Sequence, residues 1–420
     1  MIKRYLLSLA PVMGQRNFRL FFVGQAISMT GTVLQTTILG WQIYVMTGSA
    51  EMVGTVAALA FVPPALLIFF GGAIVDGYNK QHVLYLTNSV DMILAGILAY
   101  LTITDSIEIW QIMAVVVAYG FTTAIDRPAQ KALLLQIIVG QHVTSAMALN
   151  STLIMITGSV GGLFAIVFIR ITSELGWAYA INGTTFLVAL ACMYCMRLES
   201  QEDRITMESP MRAIISGCRY LWQQEEVIGT LILWGVVHAL GYSYKGIFPV
   251  LAKEIFNGGP EIVAALLAAL MMGGLIGCII ALVRARNNQH TKGSMLERMI
   301  PWMVVLAAAE TLLGLMVLVS ADGHATVAFV VSIVCLVLAG MAIVNTTAVV
   351  EGSIMSRIDP VMRGRVSGFI AFIFCGNMFG GSWIFGTLSE SYGSTVAVVA
   401  AGLFILSLGY ALCETVERDN

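Results

Sequence analysis

The sequence predicts an all-α membrane protein whose twelve transmembrane helices form two pseudo-symmetric bundles of six, and three observations lead to this fold class. The 420 residues are 58% hydrophobic and only 11% charged, whereas a soluble domain carries about 25% charged residues. Twelve continuous apolar runs offer the roughly 20 residues that a membrane-spanning helix needs, and their continuity excludes a barrel. The two halves also carry the same motifs in the same order, which indicates a duplicated six-helix unit.

The apolar runs follow one another with short polar breaks. They lie at 18–46, 51–75, 82–103, 109–131, 144–170, 176–196, 226–248, 261–283, 299–319, 325–350, 364–388 and 393–413. In the longest polar break, the sequence from Pro210 can form an amphipathic helix on the inner membrane surface. We therefore predict an N-terminal six-helix bundle at 1–196, a cytoplasmic linker with this helix at 197–225, and a C-terminal six-helix bundle at 226–420.

The placement of lysine and arginine predicts the orientation in the membrane. If the N-terminus is cytoplasmic, nineteen of the 22 basic residues lie on the inner side. Only Arg170, Lys245 and Lys253 lie on the outer side. Because cytoplasmic loops carry an excess of basic residues, we expect both termini to be cytoplasmic.

An internal repeat relates the two halves. The fourth run ends in Thr122–Asp126 (TTAID), and the tenth ends in Thr346–Glu351 (TTAVVE). The fifth run carries Gly158–Gly162 (GSVGG), and the eleventh carries Gly376–Gly381 (GNMFGG). A duplicated six-helix unit is the layout of transporters that rock two halves around a central site.

The loop after the second run carries a partial signature. Gly72, Asp76 and Lys80 have the spacing of the signature loop of the major facilitator superfamily, which the sequence therefore resembles. The chain departs from that signature at Gly77, Asn79 and Gln81. The resemblance implies the major facilitator fold in the inner membrane of a bacterium.

Other segments resemble one branch of this superfamily, which includes bacterial enterobactin exporters and macrolide-type drug exporters. They are Arg16–Leu20, Thr47–Ala50, Arg127–Ala132, Ala148–Ser151, Tyr220–Trp222 and Arg363–Val366. Two departures concern the mechanism. Thr32 stands where many members carry an acid, and Gly158 stands where antiporter-type members carry the proline of a Gly-Pro-x-x-Gly-Gly motif, whose glycine positions correspond to Thr157, Gly161 and Gly162. The second departure weakens the case for proton antiport.

The resemblance also implies a cytoplasmic gate. In such a gate Lys80 pairs with Asp126, Asp76 caps the N-terminus of the eleventh span, and Glu351 has the part of Asp126 in the second half. The expected gate residues are Gly72, Asp76, Lys80, Asp126, Arg127, Glu351, Arg363 and Arg365. The alternative is that these residues are boundary charges that set the topology.

Polar and aromatic side chains recur at helical spacing along the first and seventh runs. A polar stripe in a membrane must face protein or water, and these two spans line the cavity in the superfamily that the chain resembles. We therefore predict a substrate cavity lined by Gln25, Ser28, Thr32, Gln35, Thr123, Asn150, Trp234, His238, Tyr242, Asn345 and Asn377. The alternative is that these residues form hydrogen bonds between helices and contact no cargo.

Three ionisable residues well inside the runs are candidates for proton coupling. They are His238, Asp91 and Glu310. His238 is favoured because imidazole titrates near physiological pH and because the residue lies on the predicted cavity stripe. The alternatives are a structural histidine and neutral, hydrogen-bonded carboxyl groups.

These patterns predict a secondary transporter that exports an amphipathic small molecule, such as a siderophore or a drug, in exchange for protons. The sequence has no G-x-x-x-x-G-K-[ST] loop, and no His/Asp/Glu cluster with catalytic spacing, so we expect neither an ATPase nor another enzyme. We expect no cofactor, metal or nucleic acid, and a monomer in contact with membrane lipid. An importer or facilitator, a non-transporting sensor or scaffold, and cooperation with an outer-membrane exit duct stay open.

Overall fold

The computed structural model is helical throughout the part of the chain that it describes. It describes residues 13–67, 78–138, 143–172, 174–197, 216, 218–286, 294–321, 323–359 and 362–419. No strand is present within these ranges. The predicted all-α fold class is therefore confirmed.

The helix bounds follow the apolar runs closely. In chain order the α-helices are α1 Arg16–Thr47, α2 Ala50–Leu59, α3 Lys80–Ile103, α4 Ile109–Ile137, α5 Val143–Ile171, α6 Gly176–Tyr194, α7 Glu225–Gly241, α8 Phe248–Glu254, α9 Pro260–Arg286, α10 Met295–Ala321, α11 Ala325–Arg357, α12 Arg363–Tyr392 and α13 Ser394–Asp419. A 3-10 helix, Ser243–Ile247, lies between α7 and α8. The amphipathic helix predicted from Pro210 lies largely outside the described residues, which hold only its last part, 218–222.

Eleven segments of the described chain are long and apolar enough to cross a membrane. Helix α1 is not among them, although it is 32 residues long. Its many threonine and glutamine side chains lower its hydropathy below that of the other long helices. The protein is a multi-pass membrane protein, and the exact number of twelve spans stays a prediction.

After two interruptions of the α-helical chain, a proline stands in the first turn of the helix that follows. The second run is interrupted by a turn at Ala60 and Phe61, just before Pro63, and becomes helical again over 62–67. The seventh run is interrupted after Gly241, and its helix resumes as α8 with Pro249 in the first turn. Proline has no N–H to donate within a helix, so it is best placed where a new helix begins.

The described residues divide into two units by their contacts. The first unit holds the residues up to Ile38 and those from Pro63 to Arg197. The second holds those from Leu39 to Val62 and those from Ser216 onward. The end of α1 and all of α2 therefore belong by contact to the second unit, although they come from the first half of the sequence.

In the first unit α3 packs against α4 and α6. Buried side chains from α1, α3, α4 and α6 form an apolar core, which includes Phe18, Leu84, Leu133 and Met193. Farther along α1, a Cβ atom on Gly31 would lie 2.5 Å from Asn182 Oδ1. Only glycine permits this approach of α1 to α6, which brings polar side chains of the two helices together.

In the second unit α11 packs against α9 and α10, α10 packs against α13, and α12 packs against α2. The contact between α9 and α11 is close at Gly273 and Gly340. A Cβ atom on Gly273 would lie 2.0 Å from the carbonyl oxygen of Val337, and one on Gly340 would lie 2.0 Å from that of Leu270. Small residues at such crossings let the two backbones touch, as is usual for helices in membranes.

Candidate functional site

Gln35 of α1 is the centre of a buried polar network in the first unit. Its side chain is only 3% exposed. Its Oε1 atom accepts a hydrogen bond from Asn182 Nδ2 of α6 at 2.8 Å and lies 3.4 Å from the hydroxyl of Tyr119 of α4. Gln35 therefore connects three helices of the same unit. This agrees with the alternative interpretation of the polar stripe, in which its side chains form hydrogen bonds between helices.

Asp91 of α3 extends this network. Its Oδ1 atom accepts a hydrogen bond from the hydroxyl of Thr122 at 2.5 Å. Tyr119 donates to the backbone carbonyl oxygen of Asp91 at 2.9 Å. The side chain of Asp91 is 8% exposed. A hydroxyl donor at this distance stabilises the ionised form of the carboxylate.

Four of the five remaining predicted cavity residues of the first unit form no side-chain hydrogen bond within the described residues. Gln25 and Ser28 are buried, and Thr123 and Asn150 are half-buried. Within the described residues, none of these four side chains forms a hydrogen bond. Thr32, in contrast, donates to the backbone carbonyl of Ser28 at 3.0 Å. The four unbonded side chains are the ones with polar groups left for a ligand.

His238 of α7 is the centre of an aromatic and polar cluster in the second unit. Its Nε2 atom lies 3.0 Å from the hydroxyl of Thr347 of α11, and its ring centroid lies 4.5 Å from that of Trp234. Tyr242 and Phe374 each lie at 6.3 Å, measured between ring centroids. His238 is 3% exposed. The predicted stripe residues Trp234, His238 and Tyr242 thus form one cluster with side chains of α11 and α12.

Two predicted cavity asparagines have different surroundings. Asn345 of α11 donates to the backbone carbonyls of Gly277 at 3.2 Å and Met341 at 2.9 Å, so it fastens α11 to α9. The Nδ2 atom of Asn377 is buried and has no partner in the described residues. A Cβ atom on Gly235 would lie 3.2 Å from this Nδ2 atom, which places Asn377 against α7 beside the His238 cluster. Asn377 therefore has a donor to offer, and Asn345 does not.

Glu310 of α10 is a buried carboxyl group without a hydrogen-bond donor. It is 1% exposed, and neither carboxyl oxygen has a partner among the described residues. A Cβ atom on Gly241 would lie 3.4 Å from its Oε1 atom, so the group lies against the end of α7. A charge buried without a partner is costly, so this site favours a carboxyl group that carries a proton.

The described residues hold only part of the predicted cytoplasmic gate. Gly72, Asp76 and the side chain of Arg363 lie outside them. Lys80 is the first residue of α3, Arg127 and Glu351 are exposed, and Arg365 donates to the hydroxyl of Ser216 at 2.8 Å.

Asp126 does not pair with Lys80 in this structure. It accepts a hydrogen bond from Thr87 at 2.9 Å and another from the amide of Gln130. Both donors lie in the same unit as Asp126. The pairing of Asp126 with Lys80, which the family resemblance implies, therefore stays a prediction for another conformation of the protein.

Five residues of these clusters were missed at the level of the sequence: Tyr119, Thr122, Asn182, Thr347 and Phe374. A signal for two of them was present, since Thr122 and Thr347 belong to the repeated TTA motifs. In each unit a threonine of this motif bonds the buried ionisable residue of a neighbouring helix. Tyr119 and Asn182 lie in apolar runs and had no periodic signal of their own.

Comparison with known protein families identifies the chain. The family model described as "Transmembrane secretion effector" matches residues 7–417. Solved structures show the same fold: the nucleoside transporter NupG superposes with a TM-score of 0.75 at 12% identity, covering 95% of this chain and 99% of that chain. A bacterial homologue of the human lysosomal transporter Spinster superposes with a TM-score of 0.69, also at 12% identity, covering 95% and 98%.

Curated relatives are more similar in sequence than these two solved structures. The staphyloferrin A transporter of Staphylococcus aureus is 26% identical over 62% of this chain and 64% of its own length. Macrolide efflux protein A of Streptococcus pyogenes is 23% identical over 83% of both chains. The enterobactin exporter EntS of Escherichia coli is 22% identical over 97% of this chain and 94% of its own. The family match spans nearly the whole sequence, and the chain belongs to the transmembrane secretion effector family of the major facilitator superfamily.

Proposed function

We propose that the protein exports an amphipathic small molecule, a siderophore or a drug, across the inner membrane by alternating access and in exchange for protons. The observation that carries the proposal is the pair of buried polar clusters, around Gln35 in one unit and His238 in the other. Each cluster is built on corresponding spans of the duplicated halves, and each lies next to a buried ionisable group. The names of the relatives, which include efflux proteins and an exporter, favour export.

The cargo class follows from the chemistry of these side chains. Trp234, Tyr242 and Phe374 offer aromatic surface for the apolar part of a cargo. The unbonded side chains of Gln25 and Asn150 and the free donor of Asn377 offer polar contacts. A site that combines aromatic faces with a few polar groups suits an amphipathic ligand.

The proton would be carried by buried ionisable groups. His238, Asp91 and Glu310 are the three candidates, and they differ in their partners. Asp91 has a hydroxyl donor, His238 is bonded to Thr347, and Glu310 has no partner in the described residues. Such groups in a membrane-spanning segment are expected to serve proton relays or to pair with one another.

The two predicted six-helix bundles, 1–196 and 226–420, would rock against each other during transport. The cytoplasmic gate residues, among them Asp126 and Lys80, would then pair in one state and separate in the other. Both termini would lie in the cytoplasm. The protein would act as a monomer that needs only its cargo, protons and lipid, with an outer-membrane exit duct as an optional partner.

Proton movement in proteoliposomes tests this function. An internal pH dye would report the response to catecholate siderophores, macrolides and cationic drugs, added one at a time. We expect at least one cargo to trigger proton flux in the wild type and His238→Ala to reduce it strongly. Asp105→Asn is the matched control, because Asp105 is exposed in a loop and has a positive φ of 52° that asparagine also tolerates.

The second candidate is a facilitator or importer on the same fold. Gly158 favours it, because antiporter-type members carry a proline at this position. Cargo movement without proton flux would support the facilitator, and cargo entry driven by an inward gradient would support the importer. A protein that moves no cargo under any imposed gradient would contradict transport and favour a sensor or scaffold.

A further inference from the structure

The turn that joins α1 to α2 is tightly built. Gly48 has a φ of +65°, a left-handed conformation that glycine adopts without strain, and its N–H donates to the carbonyl of Tyr44 at 2.8 Å. Ser49 then caps α2 by accepting a hydrogen bond from the backbone N–H of Met52 at 3.2 Å. These residues belong to the Thr47–Ala50 segment, and they hold the first backbone N–H groups of α2 in a fixed direction.

Glu390, near the end of α12, binds these N–H groups. Its Oε2 atom accepts hydrogen bonds from the hydroxyl of Ser49 at 3.1 Å, the backbone N–H of Ala50 at 2.7 Å and that of Glu51 at 3.3 Å. The first N–H groups of a helix have no partner within the helix, and its N-terminus carries a partial positive charge. A carboxylate with three donors at this position is therefore a strong attachment of α2 to α12.

Glu254, at the end of α8, holds the other side of the turn. Its Oε1 atom accepts a hydrogen bond from the hydroxyl of Tyr44 at 3.2 Å, and its Oε2 atom accepts one from Ser394 at 3.1 Å. The carboxylate thus connects the last turns of α1 to the beginning of α13. Two acidic residues, one on each side of the turn, hold it within the second unit.

Close backbone contact accompanies the two carboxylates. A Cβ atom on Gly54 would lie 2.5 Å from the carbonyl oxygen of Ser382 and 2.7 Å from the Cα atom of Gly386. A Cβ atom on Gly386 would in turn lie 3.0 Å from the carbonyl oxygen of Ala50. The contact between α2 and α12 is therefore backbone against backbone at these two glycines.

We propose that Glu390 and Glu254 form a releasable latch that holds residues 39–62 on the second unit in one state of the transport cycle. The proposal rests on the proposed alternating access, in which these residues would return to the first half of the chain in the opposite state. Both glutamates and the turn itself are at least partly exposed, so water can replace the broken hydrogen bonds. The latch lies on the face that the basic residues predict to be the outer one.

The labelling rate of a buried cysteine tests the latch. The seven native cysteines would be replaced, and Val53→Cys would be introduced, because Val53 of α2 is 2% exposed. Purified full-length protein in lipid nanodiscs would react with a hydrophilic maleimide, without any cargo. We expect Glu390→Ala to speed the labelling about tenfold, because bonds to a charged group are lost. Glu390→Gln retains an oxygen acceptor and should give a smaller increase.

Glu51→Gln is the matched control. Glu51 is exposed in the same first turn of α2, and its side chain accepts none of these bonds. Unchanged labelling in this control, together with faster labelling in Ser49→Ala, would support the latch. Equal labelling of Glu390→Ala and the parent protein, or an equal increase in Glu51→Gln, would overturn it. The assay needs no cargo, so a failure of the transport proposal would leave its result intact, and transport with unchanged labelling would overturn the latch alone.

Discussion

Asp91 in the first unit and Glu310 in the second are both buried carboxyl groups on long apolar helices, but their surroundings differ. Asp91 accepts a hydrogen bond from Thr122 and belongs to a network that joins four helices. Glu310 lies against Gly241, and neither of its oxygens has a partner in the described part of the chain. Two acids that look equivalent in the sequence therefore differ in their hydrogen-bond partners, although both are buried.

The difference teaches which acid is suited to which task. A donor that points at a carboxylate stabilises the charged form, so the bond between Asp91 and Thr122 holds helices together while Asp91 is ionised. A carboxyl group without a donor is stable when neutral and costly when charged. Losing its proton would therefore require new partners, such as water or a rearranged helix. We therefore infer that Glu310 suits the role of a proton carrier better than Asp91, and that Asp91 suits a structural role better.

The largest expected effect comes from Glu310→Gln. Glutamine has the shape of the protonated acid and cannot release a proton, so cargo-triggered proton flux in proteoliposomes should fall to the background. The free energy of unfolding should change by less than about 1 kcal/mol, because no bond to Glu310 is lost. The flux is read with an internal pH dye, and the stability from reversible unfolding in mixed detergent and SDS micelles.

Asp91→Asn provides the comparison for that variant. It should lower the free energy of unfolding and leave a measurable proton flux. If Asp91→Asn removed the flux while Glu310→Gln retained it, the assignment of the two roles would be reversed.

A smaller effect is expected from Thr122→Val, which removes the donor to Asp91. Hydrogen bonds to charged groups contribute about 1.5–3 kcal/mol, so the free energy of unfolding should fall by about that amount. Thr123→Val is the matched control, because Thr123 is the next residue of α4 and its side chain forms no hydrogen bond within the described residues. A double-mutant cycle of Thr122→Val with Asp91→Asn should show coupling, and additive effects would contradict the proposed bond.

Much of the fold could be predicted from the sequence, because hydropathy alone determines which segments enter a membrane. The helix bounds agree with the apolar runs except that the second run is interrupted just before Pro63 and the α-helix of the seventh run ends early, at Gly241. Helix α1 is not among the eleven apolar segments for a physical reason: it carries the polar stripe, and the stripe lowers its hydropathy below that of its neighbours. The polar side chains that predict a cavity on α1 are therefore the same ones that lower the hydropathy of this helix.

The site was predicted in part, because periodicity shows which side chains share a face but not which helix lies opposite. His238 and Trp234 lie in one cluster, as their spacing implies. Asn345 has the same polar character, yet its amide is bonded to backbone carbonyls of α9 and α11. Glu390 looks like a boundary charge in the sequence, and only the packing of α2 on α12 shows that it caps a helix from another part of the chain.

The smallest effect is expected from Thr347→Val, which extends the comparison to the His238 cluster. The variant removes the hydroxyl that lies 3.0 Å from His238 Nε2 and 3.4 Å from Trp234 Nε1. Bonds between neutral groups contribute about 0.5–1.5 kcal/mol, so the loss should be about 1 kcal/mol, smaller than for Thr122→Val. Thr347→Ser retains the hydroxyl and should restore most of the stability in the same micelle assay. A loss as large as that of Thr122→Val would indicate that His238 is charged in the resting protein, and the second unit would then hold an ionised group of its own.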